Sequence, residues 1–161
     1  MKNLFAIFAA LLVLGVGGCA PQVNTKAELA AIHKFHDECM TTLRAGNVDC
    51  FAEDGQMLPR GAPPIIGRAA IGELLSLLIK DPNFSVSHDI VSAEVSRSRD
   101  LAYIHYTYEF VVSNKNGNPV VEEGKAVYVL KKQPQDGWKI LIDIWNTDVQ
   151  GESDTVLEMG E

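Results

Sequence analysis

Two hydrophobic periods divide the chain. Between residues 29 and 43 apolar side chains recur every three or four positions, at Leu29, Ile32, Phe35, Cys39, Met40 and Leu43, the spacing that lines one face of a helix. Thr25 and Glu28 stand at capping-box spacing ahead of this stripe, and Arg44 and Gly46 supply a stop, so a long helix is predicted between them. A second, short helical piece is expected around residues 48–52, leading into Gln56 to Pro59 before Gly61-Ala62-Pro63-Pro64 breaks the chain. Ile71, Leu74, Leu75, Leu78 and Ile79 predict another helix from about Arg68, terminated by Pro82. From Phe84 the period changes to two. Strands are predicted at 84–97, 101–113, 119–133 and 138–147, joined by short polar turns. Helices followed by consecutive strands make an α+β order: a curved antiparallel sheet with the N-terminal helices on one face and a pocket between them.

The first residues follow a different pattern. Lys2 precedes the apolar run Leu4 to Val16, which is too short and too asymmetrically flanked to span a bilayer and reads as a processing segment. Gly15, Gly17 and Gly18 followed by Cys19 resemble the lipobox of bacterial lipoproteins, in which the cysteine is acylated and becomes the first residue of the mature chain. An ordinary secretory signal cut near Ala20 is the alternative. The lipobox reading assigns residues 1–18 to a signal peptide, 19–25 to a lipidated tether, 26–148 to one domain and 149–161 to an acidic flexible tail. Each buried lipid methylene contributes about 0.8 kcal/mol, so two or three chains hold a domain on a membrane. By the same resemblance, Ala20 after the cysteine implies the outer membrane, periplasmic side, in a cell that has two. Cys19→Ala should leave an unprocessed precursor; a normally cut, released domain would sink the lipoprotein reading.

Removal of residues 1–18 leaves 143, the size of one domain. Lys2 goes with them, so 13 basic residues face 21 acidic ones, a net charge of −8 that argues against nucleic acid and anionic lipid surfaces as partners. Two cysteines remain once Cys19 is spent. Cys39 and Cys50, eleven residues apart around Gly46-Asn47, can form a disulfide in an oxidising compartment; two buried free thiols are the competing reading. No His, Lys or Arg is fixed beside either, which leaves a catalytic thiol without support.

Two segments carry a family resemblance. Pro63-Pro64-Ile65-Ile66-Gly67-Arg68-Ala69-Ala70-Ile71 after Phe51-Ala52-Glu53-Asp54-Gly55, and Asp136-Gly137-Trp138-Lys139-Ile140 leading to Asp143-Ile144-Trp145-Asn146, resemble the nuclear transport factor 2-like superfamily. The match is to its SnoaL-like and ketosteroid-isomerase-like branch, over about residues 27–148. It implies a cone-shaped α+β fold with helices on the concave face of the sheet, often dimeric, which serves isomerases, cyclases, dehydratases and non-catalytic binding modules alike. The isomerase residues are not matched. The position of its general base falls on Pro59, that of its oxyanion-hole Tyr on Cys39, and that of its protonated Asp on Tyr128 or Val129.

Other groups must then carry any chemistry. Alternation places Tyr103, His105, Thr107 and Glu109 on one face of their strand and Asp143 with Trp145 on one face of the last; the resemblance turns both sets toward the pocket. On that reading Asp143 and His105 are the candidate acid–base groups, and Cys39, Phe51, Tyr103, Glu109, Tyr128 and Trp145 line the pocket. The alternative keeps Ile104, Tyr106, Tyr108 and Phe110 in the core and leaves the His105 set in solvent. His33, His36 and Asp37 share a helix face, where a polar surface is the commoner explanation than a metal site. No metal is expected. His88 stands isolated, and Asn114 to Asn118 reads as a hairpin turn without a phosphate-loop pattern, so no cofactor is expected either. If the His105 set lines the pocket, Ile104, Tyr106, Tyr108 and Phe110, with Ile140, Ile142 and Ile144, form an outer apolar face that predicts a homodimer. The sequence thus points to a domain binding a small, partly apolar molecule. An acid–base enzyme and a filled structural or interaction module are the alternatives.

Overall fold

The computed structural model describes residues 25–135 and 137–148. The segments expected to be a signal peptide and an acidic tail, and the expected tether up to residue 24, therefore lie outside the described residues. Helix α1 spans Thr25–Arg44 and α2 spans Arg68–Leu78; the strands are β1 Phe51–Leu58, β2 Ile65–Ile66, β3 Ser85–Val95, β4 Leu101–Ser113, β5 Pro119–Gln133 and β6 Gly137–Thr147. They form one sheet in the order β2-β1-β6-β5-β4-β3. The α+β class and the antiparallel meander β3 to β6 follow the expectation, but the sheet is mixed, because β1 pairs parallel with β6.

Strand β1 replaces the short helical piece expected around residues 48–52. Its sequence, FAEDGQML, does not alternate because its register against β6 shifts between Phe51 and Gln56. Gly55 sits in that irregular stretch, where an added Cβ would meet Ala52 O at 2.9 Å and Ile140 O at 3.1 Å. A partner strand some ninety residues away, and not local periodicity, makes this segment extended. Gly67, at φ 89°, then turns the chain from β2 into α2, and its amide donates to Gly55 O at 2.8 Å.

Both helices cover the same face. Helix α1 lies against β3 and α2 against β1, and the core between them and the sheet is built on Ile32, Phe51, Ile71, Ile104, Leu130 and Ile140. Gly46, at φ 83°, stops α1, with its amide donating to Leu43 O. The Sγ atoms of Cys39 in α1 and Cys50 before β1 are joined in a disulfide, with the Cα atoms 5.5 Å apart.

Candidate functional site

A cavity of about 600 Å³ opens between the two helices and the concave face of the sheet. Its walls are apolar where the helices contribute, through Met40, Leu43, Ile71, Leu74, Leu75 and Leu78, and polar where β3, β4, β5 and β6 contribute His88, Tyr106, Tyr108, Tyr128 and Asp143. This division of labour follows from the elements. The helices bury a leucine-rich stripe, whereas aromatic side chains standing on a strand keep their polar tips free to meet across the sheet.

A bulge in β6 places Asp143. Leu130 pairs with Ile140 and Val129 with Ile142, so Leu141 has no partner across the ladder and the alternation reverses. Trp138 and Ile140 face the core before the bulge, and Asp143 and Trp145 face it afterwards; Tyr128 lies directly across from Asp143. Without the extra residue, a strand facing inward at Ile140 would turn Asp143 outward. Asp143 is only 5% exposed, and its Oδ1 accepts a hydrogen bond from the Tyr106 hydroxyl at 2.9 Å. Burial pushes the carboxyl up to about 7, and the Tyr106 bond pulls it partly back. Tyr106 and Tyr128 are themselves held well above the ordinary phenol range, chiefly by burial and then by the Asp143 charge, so both remain protonated donors.

A histidine pair completes the polar wall. His88 stacks on Tyr106 with ring centroids 4.3 Å apart, and its Nδ1 lies 3.4 Å from His36 Nε2. Burial, followed by the neighbouring His36 and Arg44, pushes His88 down to about 3. His36 is lowered for the same first reason, against the opposing pull of Asp37. Toward the mouth the Tyr108 hydroxyl donates to Glu122 Oε1 at 2.7 Å. Tyr108 can lie across β5 because the residue opposite it is Gly124: a Cβ there would come within 2.7 Å of the Tyr108 ring.

Several expected positions need correction. Tyr103, His105 and Glu109 lie on the outer face of β4, since they alternate with the buried Ile104, Tyr106 and Tyr108. The His105 strand and the Asp143 strand were expected to present these residues on one face; the β6 bulge prevents it, and only Asp143 turns inward. Ile104, Tyr106 and Tyr108 are buried in the chain's own core, as is Ile140, so the alternative that keeps them inside and leaves the His105 set outside holds, and the outer dimer face expected from them does not. Phe51, Tyr128 and Trp145 line the cavity, whereas Cys39 is engaged with Cys50. Pro59 also lines it, with no proton to exchange.

The sequence reading also missed the histidines. His36, expected on the polar surface of α1, is 3% exposed, because it follows Ile32 by four residues and so falls on the buried face. His88 alternates with Val86 and Ile90, which pair with Phe110 and Tyr106 as inward-facing residues. That alternation was the available signal. Among the described residues no group of three or more His, Cys, Asp or Glu is placed to hold a metal ion.

No protein-family model and no curated protein sequence matches the chain. Solved structures do. The fold is similar to that of a ketosteroid isomerase-like protein from Erwinia carotovora atroseptica, at TM-score 0.65 and 19% identity over 76% of this chain and 98% of that one. It is also similar to a putative aromatic ring hydroxylase from Novosphingobium aromaticivorans, at TM-score 0.63 and 19% identity over 78% and 92% of the two chains. A nuclear transport factor 2-like superfamily protein from Salmonella enterica aligns at TM-score 0.62 and 13% identity over 81% and 99%. The architecture, an unclosed curved mixed sheet with two helices, is that of the nuclear transport factor 2-like cone.

Proposed function

We propose that the domain binds a small, partly apolar molecule in this cavity and exchanges a proton with it through Asp143. The observation that supports the reading is the buried Asp143–Tyr106 pair on the sheet wall of a cavity whose helical walls are apolar. With its carboxyl at about 7, Asp143 is a donor just below neutrality and an acceptor just above, while Tyr106 stays protonated throughout. A ligand with an apolar body and one carbonyl or hydroxyl would place the body against the leucines and the oxygen at this pair. His105 drops out of the site in this reading. Cys19, by its resemblance to a lipobox cysteine, would hold the domain at a membrane.

A naphthyl ketone whose emission reports the polarity around its carbonyl tests the site. Saturable binding at one site per chain is expected, weakening as pH rises through about 7, with that pH dependence lost in Asp143→Asn. Absence of saturable binding, or a pH dependence that survives the substitution, would overturn the reading.

Dimerisation belongs to the other face of the sheet. Val127 pairs with Ile144 and Val129 with Ile142 on the outer surface, beside Tyr103 and His105, and Ile144 is 46% exposed. We propose this patch as the homodimer face. Sedimentation of the full chain in a mild detergent should give a dimer that Ile144→Lys converts to a monomer; a wild-type monomer at micromolar concentration would rule it out.

A further inference from the structure

Beside Asp143, the cavity wall holds a second pair of titratable groups that the reading above does not use. His36 comes from α1 and His88 from β3, and the two rings meet edge to edge, Nε2 of the first 3.4 Å from Nδ1 of the second. One of these two nitrogens must carry a proton and the other a lone pair, because His36 is buried, His88 is half-buried and both imidazoles are neutral. Which one does so is set at the far end of the pair.

There His36 Nδ1 is buried and makes no hydrogen bond, and Oδ1 of Asp37 stands 3.6 Å from it, while His33 and Arg44 also act on the ring from α1. A bare lone pair facing a carboxylate is repelled, whereas an N–H in the same place is attracted. Asp37 therefore favours a proton on His36 Nδ1. His36 Nε2 is then the acceptor, and His88 Nδ1 must donate to it. With its Nδ1 proton spent on His36, His88 keeps an unprotonated Nε2, and His88 lines the cavity.

We propose that Asp37, His36 and His88 form a chain that presents His88 Nε2 to the cavity as a bare hydrogen-bond acceptor, beside the proton-donating Asp143. Asp37 and His36 are positioning residues; His88 is the group that would touch the ligand. The proposal deepens the reading of the cavity as a proton-transfer site and rests on it. It adds direction: two groups of opposite role flank Tyr106, one stacked on its ring and the other hydrogen-bonded to its hydroxyl. A ligand carrying both an N–H or O–H and a carbonyl would donate to the bare His88 Nε2 while its carbonyl accepts from the protonated Asp143. Arg44, at the same end of α1, opposes a positive charge on either ring, which keeps both imidazoles neutral.

The tautomers can be read without any ligand. In the full chain carrying isotope-labelled histidine, long-range proton–nitrogen correlation near neutral pH should show both rings protonated at Nδ1 and bare at Nε2. Asp37 is largely exposed, so Asp37→Lys should fold, and it should move the His88 Nε2 resonance from the bare to the protonated range. A structural pair without this role would show no such reversal. His88 protonated at Nε2 in the unmodified chain, or tautomers unchanged in Asp37→Lys, would overturn the proposal. Because Asp37→Lys leaves the Asp143–Tyr106 bond in place, failure here is distinguishable from failure of the ketone to bind.

Discussion

Asp143→Asn and His88→Gln should tilt the stability of the domain against pH in opposite directions. Asp143 has a folded value of about 7 against an ordinary 3.8, so between the two the folded state holds a proton that the unfolded state has lost. Its contribution is fully present below the ordinary value and is lost as pH rises to about 7, over a span of about 4 kcal/mol. His88 does the reverse. It is pushed down to about 3 from 6.5, so between these the unfolded state takes a proton that the folded state refuses, and stability is lost as pH falls, over about 5 kcal/mol. In the unmodified domain the two slopes largely cancel where they overlap, with the lowered His36 adding to the His88 side. Removing the carboxyl with Asp143→Asn exposes the histidine slope, and stability should climb with pH toward 6.5. Removing the imidazole with His88→Gln exposes the carboxyl slope, and stability should fall as pH rises toward 7. Urea midpoints measured across this range for the three proteins check it. Parallel profiles would mean that one or both groups are solvated.

Reduction of the Cys39–Cys50 disulfide should cost about 3 kcal/mol, because it frees a loop of eleven residues in the unfolded chain. The bond has more than local reach. It ties the C-terminal half of α1 to the residue that precedes β1, and β1 is the strand whose pairing with β6 is most remote in sequence. Both cysteines are buried, so in the native protein a slow reaction with alkylating reagent does not by itself distinguish a bond from two sheltered thiols. The decisive comparison is made after denaturation without reductant: neither Cys39 nor Cys50 should then be alkylated, and the urea midpoint should drop when reductant is added. Alkylation of both, with an unchanged midpoint, would contradict the bond.

The meander from β3 to β6 and both helices were legible because each buries a face whose period shows in a single segment, as in Ile71, Leu75 and Leu78 or in Ile104, Tyr106 and Tyr108. Strand β1 was not. Its extended form depends on β6, and its pattern is broken at Gly55, so nothing within FAEDGQML announces a strand. The site suffered from a related difficulty. Period-two alternation assigns faces correctly only until a bulge intervenes, and the unpaired Leu141 reverses the assignment between Ile140 and Asp143. Asp143 was legible as a candidate; its company was not. Alternation left Tyr106 open to either face, of which the core-facing alternative holds, and His36 and His88, fifty-two residues apart, gave no sign in sequence that their rings meet. Contacts between elements set these features, and a chain read one segment at a time does not contain them.

The proposed site stands on Asp143 sharing its proton near neutrality on the polar wall of the cavity. The infrared carboxyl band of Asp143, isolated as the difference between the unmodified chain and Asp143→Asn and followed through a pH titration, measures this directly. A protonated-acid band that persists through mildly acidic pH and disappears with a midpoint of about 7 is expected. A midpoint near the ordinary 3.8 would show a solvated carboxylate and contradict it.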